Sequence, residues 1–212
     1  MGEGGKMSKY ISQFLQFKCA GDVINAVTPV QKMGKEITEA MAIRKQLRKI
    51  VLPEPMKYMV LDFCAGNGLA GILSVFTLPV RYCIALDIRQ RDRLGFRDVK
   101  RWSYLQCDIS RLNLVEYPDS IIISSHPCGD LAKKIIDIYN SNDNVKALIS
   151  IPCCLPSYRN FDHPQLIADK FSFYDQWSMY LYQQCIGKRQ CIKDNNILSP
   201  ANNVIYAVKN NI

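Results

Sequence analysis

Apolar positions along the chain follow two rhythms. Between residues 8 and 50 they recur at helical spacing. Ile11, Phe14, Leu15 and Lys18 share one face of a first helix, and Thr38-x-x-Met41-x-x-x-Lys45 carries a second through Leu47 to Ile50. Pro29 and Gly34 punctuate this stretch, and Pro53 and Pro55 end it. From Lys57 short apolar runs take over. Met59 to Cys64 reads as a buried strand, and Ala65-Gly66-Asn67-Gly68 as the tight turn that follows. Leu69 to Leu78 is then a helix stopped by Pro79, Arg81 to Leu86 a second strand and Ser103 to Cys107 a third.

Ile121-Ile122-Ile123 begins a fourth strand after Pro118. Leu131, Ile135, Ile138 and Tyr139 return to helical spacing, on a helix starting near Asp130, and Val145 to Ile151 is a fifth strand. Helices follow across Asp162 to Phe171 and around Gln176 to Cys185, and Val204 to Val208 closes a terminal hairpin. Strands that alternate with helices predict an α/β fold, a doubly wound and mostly parallel sheet covered on both faces.

The chain has 212 residues, 48% hydrophobic and 22% charged, enough to bury a core without a disulfide framework or structural metal. This balance excludes disorder and collagen-like structure, and no apolar run approaches the roughly 20 residues of a membrane-spanning helix. The polar, Gly-rich opening does not read as a signal peptide. Nine cysteines, an odd number lying mostly in apolar runs, fit a reducing cytosol better than export, so a cytoplasmic protein is expected. There is no C-x-x-C, and His126 and His163 form no ligand-spaced pair, so a structural zinc site is not expected.

Gly66-Asn67-Gly68-Leu69-Ala70-Gly71 matches G-x-G-x-x-G directly after a predicted strand and at the start of a helix. Such glycines let backbone approach a ligand, and the helix start presents free amides. Asp87 closes the second strand 21 residues after Gly66, where a carboxylate can accept from both hydroxyls of a ribose. Cys107-Asp108-Ile109 closes the third, where a polar group can meet an adenine amine. Singly, each residue is as well explained as a turn glycine or a capping aspartate. Three such strand ends in consecutive order point to a nucleotide. Dinucleotide dehydrogenases share this layout but usually lack an acid inside the first strand, where this chain has Asp62.

Asp62-x-Cys64-x-Gly66-x-Gly68 resembles motif I of the class I S-adenosylmethionine-dependent methyltransferases, with Cys64 in place of the first Gly. The resemblance covers about residues 57 to 209. It implies a seven-stranded Rossmann-like sheet with one antiparallel terminal strand over 57–212, preceded by an N-terminal helical extension over 1–56. It also implies S-adenosyl-L-methionine as cofactor. The turn of Gly66, Asn67 and Gly68 would hold its methionine moiety, Asp87 its ribose and Asp108 its adenine, with Asp62, Cys64, Ala65, Ile88, Cys107, Ile109 and Ser125 as further cofactor-binding residues.

After the fourth strand stands Ser124-Ser125-His126-Pro127-Cys128-Gly129-Asp130-Leu131, and after the fifth Pro152-Cys153-Cys154. The pair resembles a subfamily with His-x-Cys-Gly and Cys-Cys at these places. It includes the eukaryotic transfer-RNA 2′-O-methyltransferases and the glutathione-S-transferase C-terminal-domain-containing proteins. His126 has a suitable range for removing a proton from the acceptor, or it orders its loop. Pro127-Cys128 and Pro152-Cys153 also fall where RNA cytosine-5 methyltransferases carry their two cysteines, so Cys153 could add to cytosine C6 with Cys128 assisting release. The Asp usual before the first Pro-Cys of that class is His126 here. A metal cluster of Cys64, Cys128, Cys153 and Cys154, or an apolar thiol lining, are the other readings.

The net charge is +8. It concentrates in Arg44, Lys45, Arg48 and Lys49, and in Arg89, Arg91, Arg93, Arg97, Lys100 and Arg101, with Arg159, Lys188 and Arg189 as an extension. Cations beside a methyl-donor cleft suit a polyanionic acceptor held through phosphates, or form a merely solvated face. Tyr158, Trp177, Tyr180 and Tyr182 serve equally as core or as base-stacking platforms. The expected function is methyl transfer to RNA, transfer RNA before others. A protein or small-molecule methyltransferase, or a donor-binding subunit without catalysis, are the competing readings, because the fourth-strand motif is neither Asn-Pro-Pro-Tyr nor a Lys-Asp-Lys-Glu set.

Overall fold

The computed structural model describes residues 8–115, 117–153 and 172–209. The predicted helix across Asp162 to Phe171, together with Cys154, Tyr158, Arg159 and His163, lies outside the described residues. Three helices open the chain: α1 (Lys9–Leu15), α2 (Ala20–Val27) and α3 (Met33–Val51). They are followed by β1 (Met59–Phe63), α4 (Leu69–Thr77), β2 (Tyr82–Asp87), β3 (Trp102–Gln106), β4 (Ser120–Ser125) and α5 (Asp130–Ser141). The rest is β5 (Val145–Ile151), α6 (Phe173–Gln184), β6 (Lys188–Lys193) and β7 (Asn203–Val208).

The seven strands form one sheet in the order β3-β2-β1-β4-β5-β7-β6. β7 runs antiparallel between β5 and β6, and the pairings from β3 to β5 are parallel. Strand side chains alternate between two cores, as period-2 geometry requires. Val60, Ile121, Ile123, Ala147 and Ile149 pack against helices α1 to α4 on one face. Leu61, Phe63, Ile122 and Leu148 pack against α5 and α6 on the other. Both faces are covered, which explains why the central strands read as continuous apolar runs.

One expectation needs correction. Among the described residues up to Val51 there are three helices rather than two, and α1 ends before Lys18, which does not continue its face. α1 stops at Leu15 because the amides of Gln16 and Phe17 turn back onto the carbonyls of Gln13 and Phe14. That tight turn brings Phe17 edge-on to buried Phe14, and Leu15 is left 55% exposed.

α3 is buried along most of its length and lies across α4, β4 and β5, so the opening helices share one core with the sheet. β1 and β4 are neighbours, yet α4 leaves β1 for one face and α5 leaves β4 for the other. The chain therefore diverges above their carboxyl ends and leaves a crevice at the point where strand order reverses. α4 itself approaches β1 closely. A Cβ on Gly71 would stand 2.7 Å from Cys83 Sγ and 3.0 Å from Asp62 Oδ2. Gly71→Ala is therefore expected to destabilise the protein by about 1–3 kcal/mol, a loss that denaturant unfolding will register.

Candidate functional site

The site is built around the turn after β1. Cys64, Gly66 and Gly68 all have left-handed backbone, with φ of 56°, 56° and 76°. Such a path suits glycine, so Cys64 holds it at some conformational cost. The turn is pinned from β2, since Ala65 N–H donates to the Leu86 carbonyl at 3.0 Å and Gly66 N–H to Asp87 Oδ2 at 2.9 Å. Asn67 accepts from Leu69 N–H at the start of α4 and donates to Glu36 Oε2 of α3 at 3.2 Å. A Cβ on Gly66 would meet nothing within 4 Å, so this part of the backbone faces open space.

Two cavities occupy the crevice. One, of about 460 Å³, is lined by Asp62, the 64–67 turn and Ser125, and closed from the N-terminal side by Pro29, Val30, Gln31, Glu36 and Ala40. The other, of about 340 Å³, is lined by Asp87, Ile88, Cys107, Asp108, Ile109 and Cys128. Cys64, Arg89 and His126 line both and mark the place where the two adjoin.

The three acids meet different environments. Asp62 is 1% exposed and accepts from Gly71 N–H at 3.0 Å. Burial away from water pushes its carboxyl up from 3.8 to about 7, the Gly71 bond resisting only in part. For Asp87 burial also works against ionisation, but hydrogen bonds from Arg89 and from Gly66 N–H outweigh it and hold the carboxyl below its ordinary value. The Arg89 guanidinium sits on this carboxylate at 3.1 Å. Arg89 is 63% exposed, so displacing it costs on the order of 0–1 kcal/mol. Asp108 accepts from the amide and hydroxyl of Ser110, which hold it below its usual range, and it remains 38% exposed.

At the tip of β4 the chain turns through a second non-glycine left-handed residue, His126, with φ of 59°. Its amide donates to the Ile151 carbonyl of β5 at 2.9 Å, and its ring swings toward α3. There Glu39 Oε1 lies 2.5 Å from His126 Nε2, and Lys35 Nζ lies 3.1 Å from the same oxygen and 3.2 Å from Nε2. Lys35 Nζ and His126 Nε2 meet in hydrogen-bond geometry, with the ammonium as donor, whereas neither oxygen of Glu39 makes a hydrogen bond despite the close approach. Cys128 Sγ and Cys153 Sγ are 3.3 Å apart on the tips of β4 and β5. Burial raises the Cys64 thiol to about 12, which keeps it protonated. Among the described residues no three His, Cys, Asp or Glu are grouped to hold a metal ion.

Of the fifteen residues singled out from sequence, all but Gly68 and Cys153 line the two cavities. Gly68 instead starts α4, and Cys153 stands behind Cys128. Sequence reading missed the contribution of the opening helices, above all Glu39. A signal existed, because Glu39 is the sole charge in the run Ile37 to Ile43, a poor place for an unemployed carboxylate. Trp177 proves to be core, 1% exposed and stacked on Tyr180.

The charge clusters are partly consumed within the fold. Arg93 donates to the carbonyls of Val27 and Pro29, and Arg101 to those of Val75 and Val80. Arg44 holds Thr77 and covers Phe17, and Lys45 pairs with Asp194. Arg48, Lys49, Arg97 and Lys100 are exposed, and Arg91 lines the larger cavity with its buried Nε unpaired.

A buried carboxylate, an unpartnered buried Ser125 hydroxyl and the Arg91 guanidinium in one cavity fit the ammonium and carboxylate of an amino acid. Asp87, Asp108 and the flanking Ile88 and Ile109 fit a nucleoside in the other. S-adenosylmethionine joins those two parts.

No family model matches the chain, and no curated protein is similar to it in sequence. Solved structures do share its fold. The 23S rRNA methyltransferase ErmE superposes with a TM-score of 0.51 at 12% identity, over 80% of this chain and 68% of that one. The Thermoplasma acidophilum protein 1320 does so with a TM-score of 0.52 at 14% identity, over 90% and 97%. These likenesses establish a Rossmann-like α/β architecture.

A carboxyl near 7 in the fold and 3.8 when exposed is neutral in the native protein and ionised in the unfolded chain between those values. Asp62 therefore costs stability increasingly as pH rises from about 4 to 7. Asp62→Asn, which retains an acceptor for Gly71 N–H, is expected to gain melting temperature relative to the native protein at pH 8 and to lose that advantage at pH 4. Thermal melts across this range will check it.

Proposed function

We propose that the chain is an S-adenosylmethionine-dependent methyltransferase acting on RNA. The observation that carries this reading is the pair of adjoining cavities at the β1/β4 reversal, one lined by Asp62, Arg91 and Ser125, which would suit an amino acid, and the other by Asp87 and Asp108, which would suit a nucleoside. When bound, the cofactor supplies a methyl group on a sulfonium, open to in-line displacement. Asp62 and Arg91 would hold its amino-acid end, the 64–67 turn its backbone-facing side, Asp87 its ribose and Asp108 its adenine. His126 stands where the cavities adjoin and would take the proton of an incoming acceptor. Positioning of the acceptor and exclusion of water by the opening helices supply much of the remaining effect.

The RNA assignment rests on charge. After internal pairing, Arg48, Lys49, Arg97 and Lys100 remain exposed on a chain of net charge +8. Such cations hold phosphates with a strong dependence on salt. The resemblance of the His126-Pro127-Cys128-Gly129 and Pro152-Cys153 words to transfer-RNA methyltransferases favours transfer RNA among RNAs.

A second reading, methylation of cytosine C5, is favoured by one observation, the 3.3 Å approach of Cys128 and Cys153. There Cys153 would add to C6 of the base and Cys128 would assist its release.

Isothermal titration with S-adenosylmethionine is expected to show binding, and failure of folded protein to bind would remove the reading altogether. Asp108→Asn, which keeps an acceptor for the Ser110 amide, should weaken binding several-fold with little change in melting temperature. Because Asp62 must ionise to hold an ammonium, affinity should rise several-fold from pH 5.5 to 7.5. Tritiated methyl transfer to total RNA against protein extract, with the product nucleoside identified, tests the acceptor. Label in protein alone would refute RNA. Cys128→Ala and Cys153→Ala made singly decide between chemistries, since full turnover in both excludes a covalent cytosine adduct.

A further inference from the structure

We propose that the cleft between α1 and α3 is an anion site that holds backbone phosphates of the acceptor RNA, apart from the crevice where the methyl group would be passed. The proposal rests on the RNA methyltransferase reading for the identity of the polyanion, and the site itself stands on geometry. The cleft is a third cavity, of about 590 Å³, larger than either cavity of the crevice. Lys9 of α1 and Arg44, Lys45 and Arg48 of α3 line it, and among the described residues no Asp or Glu does. Gln13 and Gln16 add side-chain amides, neutral donors that suit phosphate oxygens. Among the described residues none lines both cleft and crevice, yet α3 serves both. Glu36 and Ala40 border the crevice, and Arg44 and Arg48 border the cleft. At a rise of about 1.5 Å per residue, Ala40 and Arg48 stand ~12 Å apart along the helix axis, a gap that an extended polyanion spans and a single phosphate does not.

The cations are held in place by neighbours that do not cancel them. Arg44 gives its Nε–H to Thr77 Oγ1 at 2.7 Å and lies over the Phe17 ring, 4.5 Å from its centroid, which fixes the plane of its guanidinium. Among the described residues Lys45 is the one cation of the four paired with a carboxylate, Asp194 Oδ2 at 3.2 Å. Tyr10 donates to the same Asp194 oxygen and Asn196 Nδ2 to the other at 2.9 Å, so this acid is already shared out. Arg44 and Arg48 are like charges one helical turn apart, an unfavourable spacing on a helix. Burial, and then Arg48, hold the Arg44 guanidinium below its ordinary value. A bound anion would relieve that repulsion, and phosphate oxygens match the forked donors of arginine. A merely solvated basic face spreads its cations outward, whereas here four line one cavity and Arg44 is half-buried.

Fluorescence anisotropy of the full-length protein with fluorescein-labelled unfractionated transfer RNA, across a salt series and without cofactor, tests the site. Arg48→Gln and Lys9→Gln, both exposed, are each expected to weaken binding several-fold and to reduce the slope of log Kd against log salt by about one. Gln16→Glu, also exposed, brings an acid into the cleft and should weaken binding at least as much. Lys133→Gln, the same change of charge on α5 across the sheet, should alter affinity less than twofold. In methyl transfer to RNA the Arg48→Gln loss should fall on KM, with kcat within twofold. Affinity unchanged in the cleft variants, or lowered equally by Lys133→Gln, overturns the proposal, as does a fall in kcat at unchanged KM. Displacement of labelled RNA by polyglutamate as readily as by unlabelled transfer RNA overturns it too, and makes the cleft a surface for an acidic protein. Equal displacement by inorganic phosphate at matched ionic strength overturns it in favour of the free anion. If the native protein binds no S-adenosylmethionine, the methyltransferase reading fails, and the anisotropy series still judges the cleft.

Discussion

Everything functional in this protein depends on the parting of two neighbouring parallel strands. β1 and β4 are held side by side by a backbone ladder, while the helices that follow them are drawn to opposite faces by separate apolar cores. The backbone cannot close over its own divergence, so a crevice is forced above the strand tips. The two tip residues that border it, Cys64 and His126, both adopt left-handed backbone although neither is glycine. Strain of this kind persists where surrounding structure over-determines it, and it tends to gather at sites of function.

The crevice is roofed from an unexpected direction. α3 is bound into the same core as the sheet, and its first turns deliver Lys35, Glu36 and Glu39 over the open edge. Glu36 secures the glycine turn through Asn67, and Glu39 meets His126. The opening helices are thus as much a wall of the cavities as the strands are. Their polar residues are distributed accordingly, with Thr38 and Gln46 buried beside Glu39 rather than facing solvent.

Charge tells a similar story of internal use. Read along the chain, the arginines after Asp87 form a basic stripe. In the fold Arg89 neutralises Asp87, Arg93 ties the Pro29 carbonyl of a loop and Arg101 the Val75 carbonyl in the last turn of α4. A buried carbonyl without a donor is costly, and an arginine with five donors answers several at once. The part of the two basic clusters available to a polyanion is smaller than the arithmetic suggests, and it includes the exposed Arg48, Lys49, Arg97 and Lys100 and the cavity-facing Arg91.

Much of the fold was legible beforehand. β5 matches its expected limits, and β1 to β4 lie within a residue or two, because strands buried on both faces carry an apolar run that polar turns cut off sharply. The placing of the Gly66 turn, Asp87 and Asp108 at strand ends was legible for a related reason, since each follows directly on its own strand in sequence. The break between α1 and α2 was not, because a tight turn that tucks Phe17 onto Phe14 keeps helical spacing almost intact. Local sequence therefore determined the elements and each strand's own contribution to the crevice. Tertiary structure alone decided that Glu39 meets His126, that Cys128 meets Cys153 and that arginines turn inward. Those contacts join residues 25 to 87 positions apart, and the burial and partners that give each group its chemistry arise only when the layers pack.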